Sequence, residues 1–296
     1  MLILPLLAAL LASAALPADD PPAVVPGPAG LEVLWKPTWD EAAEAARKIP
    51  GGRILIYFAD DGCTPCQRME ALVVPSTSFF AFTRDKVPLY LKISTPEGKK
   101  LAERLRVAEI PAWVLVTPGL LVTGRQTGPT SQMGWIQAFV EAEKEWAGYR
   151  KLVEQEAANP ADSALVFEVA RESFRRCGDS LAEPRFARLA EDSRTPSERR
   201  ESALAYLASI QLDSGRVDEA AATLDRLLAL AKDPLLKQRA QLRRAEVEIA
   251  RGRRDLAVGR LRTFRTDWPD SPLLPDVDRL LEALAPPSEK AAGSPK

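Results

Sequence analysis

Ile54-Leu55-Ile56-Tyr57-Phe58-Ala59-Asp60-Asp61-Gly62-Cys63-Thr64-Pro65-Cys66-Gln67-Arg68-Met69-Glu70 decides how the chain folds: an apolar run, a short turn, then two cysteines opening a helix. Ile54 to Phe58 is short, continuous and apolar, the pattern of a strand buried on both faces. Gln67 to Leu72 holds helix formers, with Met69 and Leu72 on one side. Cys63 therefore falls at a strand-to-helix turn. Unpaired backbone N–H groups and the positive dipole end at a helix N-terminus favour a thiolate there over the thiol. Pro65 suits the first helical turn, where its missing N–H costs nothing and its fixed φ is already helical.

The two-residue spacing lets the sulfurs close a small-loop disulfide across that turn. In this reading Cys63, the more exposed, attacks a partner disulfide as thiolate, and Cys66, one turn in, attacks the mixed disulfide and releases the partner. Two other readings compete. A zinc site needs four ligands, and the chain has no histidine and one further cysteine, Cys177. A purely structural bridge closing so few residues adds little chain-entropy stabilisation. Without histidine, no Ser-His or Cys-His nucleophile pair and no imidazole metal site can form. Cysteine is the nucleophile with a motif around it, and no cofactor is expected beyond the Cys63–Cys66 disulfide.

With 296 residues, 46% hydrophobic and 27% charged, the chain has room for two ordinary cores. A formal net charge of −1 supplies no global basic field for nucleic acid or an anionic membrane surface. Residues 1–18 are uncharged, Leu-rich and end in small residues, with Ala12-Ser13-Ala14 or Leu16-Pro17-Ala18 as processing sites. This reads as a secretory signal peptide, with an uncleaved anchor as the alternative because no Lys or Arg precedes the apolar run. Export to a periplasmic or extracellular compartment follows, and no other membrane span is expected. Residues 19–30, with four prolines and two glycines, read as a linker.

From residue 31 to 147 the expected order is α-β-α-β-α-β-β-α, a mixed central sheet with helices on both faces. Thr38 caps a first helix ending at Pro50-Gly51-Gly52, and Ser76 or Ser78 caps a short helix over Phe79, Phe80 and Phe82. Val87 to Ile93, Trp113 to Val116 and Leu120 to Gln126 read as strands, Glu97 to Arg106 as a helix, and Ser131 opens the last helix.

Over roughly residues 38–146 the chain resembles the thioredoxin fold family. Cys63-Thr64-Pro65-Cys66 matches its Cys-x-x-Cys, Ile110-Pro111 before a strand looks like its cis-proline, and Gly128 matches its glycine before the final helix. Cys66-Gln67-Arg68-Met69-Glu70, with Phe79-Phe80 and Val87-Pro88-Leu89, is most similar to the periplasmic branch containing the C-terminal domain of the thiol:disulfide interchange reductase. The resemblance implies a thiol-disulfide oxidoreductase in which Ile110 and Pro111 help seat a protein or peptide client. Two departures stand out: the family's aromatic residue before the first cysteine is Gly62, and its buried acid on the central strand falls at Tyr57. Asp60 and Asp61 either oppose Cys63 ionisation or form a solvated turn.

Residues 148–285 read as an all-α repeat. Gly178, Gly215 and Gly252 fall at two equal intervals of 37 residues. Gly215 with Ala220 and Leu224, and Gly252 with Ala257 and Leu261, are similar to the tetratricopeptide turn and second helix; the unit at Gly178 is weaker, since Glu183 takes the small-residue position. Such helix pairs stack into a superhelix whose concave face receives a client or redox partner, or serve as a rigid spacer. The arginine-rich stretch Lys237 to Arg265 is a solvated face or meets an acidic partner, and Cys177 is read as a small packed residue. Residues 286–296 read as a disordered tail. The rival to the oxidoreductase is an interaction protein whose redox-like domain is a responsive or inert platform.

Overall fold

The computed structural model describes residues 33–285. The signal-peptide, linker and tail readings, on residues 1–18, 19–30 and 286–296, lie outside the described residues. The chain forms two compact units, Met1–Glu143 and Lys144–Lys296.

In the first unit the order is α1 (Trp39–Arg47), β1 (Arg53–Ala59), α2 (Thr64–Leu72), α3 (Thr77–Thr83), β2 (Lys86–Lys92), α4 (Pro96–Arg104), β3 (Ala112–Val116), β4 (Val122–Thr127) and α5 (Gln132–Ala158). The strands form one mixed sheet, ordered β2-β1-β3-β4. β2 runs parallel to β1, whereas β3 is antiparallel to both β1 and β4. As the central strand, β1 is buried on both faces, which its unbroken apolar run requires. Leu55, Tyr57 and Ala59 point to a core shared with Cys66 and Met69 of α2, Phe79 of α3, Trp113 and Leu115 of β3, and Trp135 and Phe139 of α5. Ile54, Ile56 and Phe58 are equally buried toward the opposite face. Pro88 is tolerated because β2 is the edge strand; its carbonyl accepts from the Lys36 N–H at 2.8 Å.

Local signals place the helix ends. The Thr38 hydroxyl accepts from the Glu41 N–H at 3.4 Å, and the choice between Ser76 and Ser78 falls to Ser76, whose hydroxyl accepts from the Phe79 N–H at 3.2 Å. The last strand begins at Val122, later than the expected Leu120, because Leu120 takes a left-handed φ of 63° in the preceding turn. α5 runs without a break through Trp146 to Ala158, and the boundary between the units falls inside it.

The second unit is helical: α6 (Ser163–Arg175), α7 (Asp179–Glu191), α8 (Ser197–Asp213), α9 (Val217–Leu230), α10 (Pro234–Ala250), α11 (Arg254–Asp267) and α12 (Leu274–Ala283). Each packs on the next in sequence. The glycine register read from the sequence needs correction. The residue in the left-handed turn is Cys177 (φ 57°), equivalent to Gly215 (φ 74°) and Gly252 (φ 70°); Gly178 is the N-cap that follows. Three matching backbone bonds establish the equivalence, Gly178 N–H to Ser173 O, Arg216 N–H to Gln211 O and Arg253 N–H to Glu248 O, each 2.8 Å. In this register the small residue of the first pair is Ala182, fully buried like Ala220 and Ala257, and Phe186 stands where Leu224 and Leu261 stand. Glu183 therefore faces away from that core and accepts from both terminal guanidinium nitrogens of Arg216, at 2.6 and 2.8 Å. Leu256 of α11 is 56% exposed.

Nothing lies within 4 Å of a Cβ built on Gly252, so its glycine requirement is a backbone one. Gly252→Ala is expected to destabilise the helical unit by about 1–2 kcal/mol, the cost of a side chain in left-handed backbone. Chemical denaturation followed by far-UV circular dichroism checks this; an unchanged midpoint would contradict it.

Candidate active site at the Cys63–Cys66 disulfide

Cys63 and Cys66 are joined by a disulfide with an S–S distance of 2.05 Å and Cα atoms 5.2 Å apart. Strand β1 carries the chain to the turn, and Gly62 makes the last step with a left-handed φ of 75°. Glycine adopts that conformation without the steric cost a side chain would meet. Cys63 is the N-cap of α2: its Sγ accepts the Cys66 N–H at 3.2 Å. The first turn of α2 contains no acidic residue. The Cys63 sulfur thus occupies the position where a helix end stabilises negative charge, and it is half-buried, whereas Cys66 is fully buried.

Of the two aspartates, Asp61 is paired with Lys92 at 3.2 Å, and Asp60 accepts the Ser94 hydroxyl at 2.7 Å. Ile110–Pro111 is a cis peptide leading into β3, and the Gly128 N–H donates to the Pro111 carbonyl at 2.8 Å. Ala112 pairs with Phe58, so Pro111 and Ile110 come beside Ala59 and Asp60 at the end of β1 that carries Cys63. Cys177 is buried in the second unit, in a different core.

Behind the disulfide lies a group that sequence reasoning did not assemble. Tyr57, fully buried, stacks on Trp113 with ring centroids 4.0 Å apart, and its hydroxyl donates to the Cys66 carbonyl at 3.0 Å. The Glu70 carboxyl, one helical turn beyond Cys66, interacts with the same hydroxyl. Burial is the main force raising the Glu70 carboxyl above its ordinary value, opposed by that hydrogen bond. Burial also raises the Tyr57 hydroxyl, with the neighbouring Glu70 charge adding to it, and pushes Tyr90 up to about 12. Tyr57 lies on the central strand β1, and the acidic group beside its hydroxyl comes from α2. The signal was the spacing of Cys66 and Glu70, which puts them on one helix face.

The arginine-rich stretch is largely neutralised within its own unit. Arg243 pairs with Glu246 at 2.5 Å, Arg244 with Asp225 at 2.9 Å, Arg251 with Asp218 at 2.5 Å, and Arg265 with Asp278 at 3.4 Å.

No family model matches the chain, and no curated protein matches it. Among solved structures it is similar to a thioredoxin from Thermus thermophilus, described by its solution structure, at 26% identity over 36% of this chain and 82% of that chain, with a TM-score of 0.31.

Proposed function

We propose that the protein is a thiol-disulfide oxidoreductase of thioredoxin-like fold acting on protein disulfides. The observation that carries this reading is the Cys63 sulfur itself: half-buried, capping α2, and bonded to a cysteine that solvent does not reach. In the reducing direction the Cys63 thiolate attacks one sulfur of a client disulfide. A Cys63–client bond forms, the client S–S bond breaks, and the second client sulfur leaves as thiolate. Cys66 then attacks Cys63, closing the internal disulfide and releasing the first client sulfur. Two electrons pass from the dithiol to the client. Run backward, client thiolates reduce the internal disulfide and become oxidised. Ile110 and Pro111, beside the end of β1, seat the incoming chain.

Export is part of the proposal and rests on residues 1–18. Recruitment of a client or redox partner by tetratricopeptide-like helix pairs is supported by the three equivalent turns. It is also supported by a cavity of about 610 Å³ in the second unit, floored by Leu227, Leu236 and Leu242 and edged by Arg239, which has no ion-pair partner among the described residues. The protein, reduced with dithiothreitol and freed of it, should transfer electrons to a model protein disulfide, read as loss of its own thiols and appearance of client thiols. Absence of transfer in either direction would overturn the assignment and leave the helical unit as the functional part.

A further inference from the structure

We propose that the client segment seated beside Cys63 is a basic one, its Arg or Lys side chain lying in a cleft next to Ile110. This rests on the oxidoreductase reading and names the class of client it serves. A cleft of about 300 Å³ adjoins the active-site end of β1, with Ile93, Val107 and Ile110 as apolar lining and Lys99, Glu103 and Glu109 as its charged side chains. Its position follows from the sheet. The Ile93 N–H donates to the Ala59 carbonyl at 3.0 Å on the β2 side of β1, and Ile110 approaches Asp60 from the β3 side. The cleft therefore borders the turn that carries Cys63 and is continuous with the surface a reacting disulfide must touch.

Its charge is one-sided. Glu103 and Glu109 are exposed, and neither has a cationic partner among the described residues. Asp60 is held by a hydroxyl rather than a cation, and Lys92 is taken by Asp61. The cleft itself thus carries two carboxylates, Glu103 and Glu109, against one ammonium group, Lys99, with Asp60 on the neighbouring turn. The volume suits one long side chain: an apolar stem along Ile93, Val107 and Ile110, and a cationic head at Glu103 or Glu109. An arriving cation also offsets the field of Asp60 and Asp61 on the attacking thiolate, so docking and ionisation of Cys63 favour each other.

The test uses the full chain, reduced with dithiothreitol and freed of it. It is reacted with three disulfides: two synthetic peptide disulfides identical except for Arg or Glu flanking the cysteine, and uncharged hydroxyethyl disulfide. The Arg peptide should react about tenfold faster than the Glu peptide at low salt, and the ratio should collapse toward one at high salt. In the Glu103→Gln/Glu109→Gln variant the low-salt ratio should fall severalfold. Equal rates for the two peptides, with hydroxyethyl disulfide still reduced, overturn the basic-client inference and leave the oxidoreductase reading standing. A full ratio retained in the double variant overturns the assignment to this cleft. Failure to reduce hydroxyethyl disulfide overturns both.

Discussion

Replacing Cys66 with serine is expected to turn a transient species into one that can be isolated. The variant keeps the Cys63 sulfur at the cap of α2, where it can still attack, and removes the only thiol placed to resolve the adduct. Mixed disulfides with clients should then persist for minutes to hours, the timescale of uncatalysed disulfide rearrangement. Cys63→Ser should trap almost nothing, because Cys66 is fully buried and no client disulfide reaches its sulfur. Cys177 does not complicate the comparison: it is buried in the other unit. Non-reducing electrophoresis of an extract of the native compartment, followed by mass spectrometry of the crosslinked species, reads the difference. Equal trapping by the two variants would sink the assignment of attacking and resolving roles, and no trapping by either would favour the interaction-protein account.

The second large effect is expected at Glu70. The Tyr57 hydroxyl donates to the Cys66 carbonyl and also interacts with the Glu70 carboxyl, an interaction that favours the ionised carboxyl. Burial, the larger force, favours the protonated carboxyl. Glu70 lies four residues beyond Cys66 on α2, and its carboxyl is expected to exchange a proton with the resolving thiol. Glu70→Gln preserves the shape and removes the titration. The resolving step should slow by about 10²-fold, the lower end of what a positioned acid–base group contributes, while the attack by Cys63 changes little. Stopped-flow traces that separate formation and decay of the mixed disulfide decide it; a decay rate unchanged across pH would exclude the role.

A stability test of the same group follows from linkage. The Glu70 carboxyl is raised in the folded protein, so it binds its proton more tightly there than in the unfolded chain. Its contribution is complete below the ordinary value of 4.5 and is lost as pH rises through the folded value. Glu70→Gln never ionises. The Tm of the oxidised variant relative to wild type should therefore rise across that window; a difference independent of pH would show that the carboxyl is not raised.

Much of this was legible in the chain. The apolar run Ile54 to Phe58, the cap at Thr38, the turn at Gly62 and the Pro65 start of α2 are local signals, each set by backbone sterics or by a donor within three or four residues. They gave the order of elements in the first unit and put Cys63 at a helix cap. The alanines and leucines that bury one face of α8 and α9 were equally readable, because burial follows the helical period.

Tertiary structure decided whatever depends on partners far apart in sequence. Tyr57 and Glu70 meet because β1 and α2 pack on each other, and Asp61 finds Lys92 across the parallel β1–β2 pair. The arginines between residues 243 and 265 looked like a free basic face until α9 and α12 supplied Asp218, Asp225 and Asp278. The register of the first helix pair was hidden for a related reason. A glycine in sequence marks a left-handed turn only when glycine occupies it, and here packing holds Cys177 in that conformation with Gly178 one step behind. The sequence by itself thus determined the elements, their order and the two sulfurs. Only the fold determined which charges remain unpaired and which acid stands behind Cys66, because Coulomb energy and desolvation depend on distance in space, which the chain order does not specify.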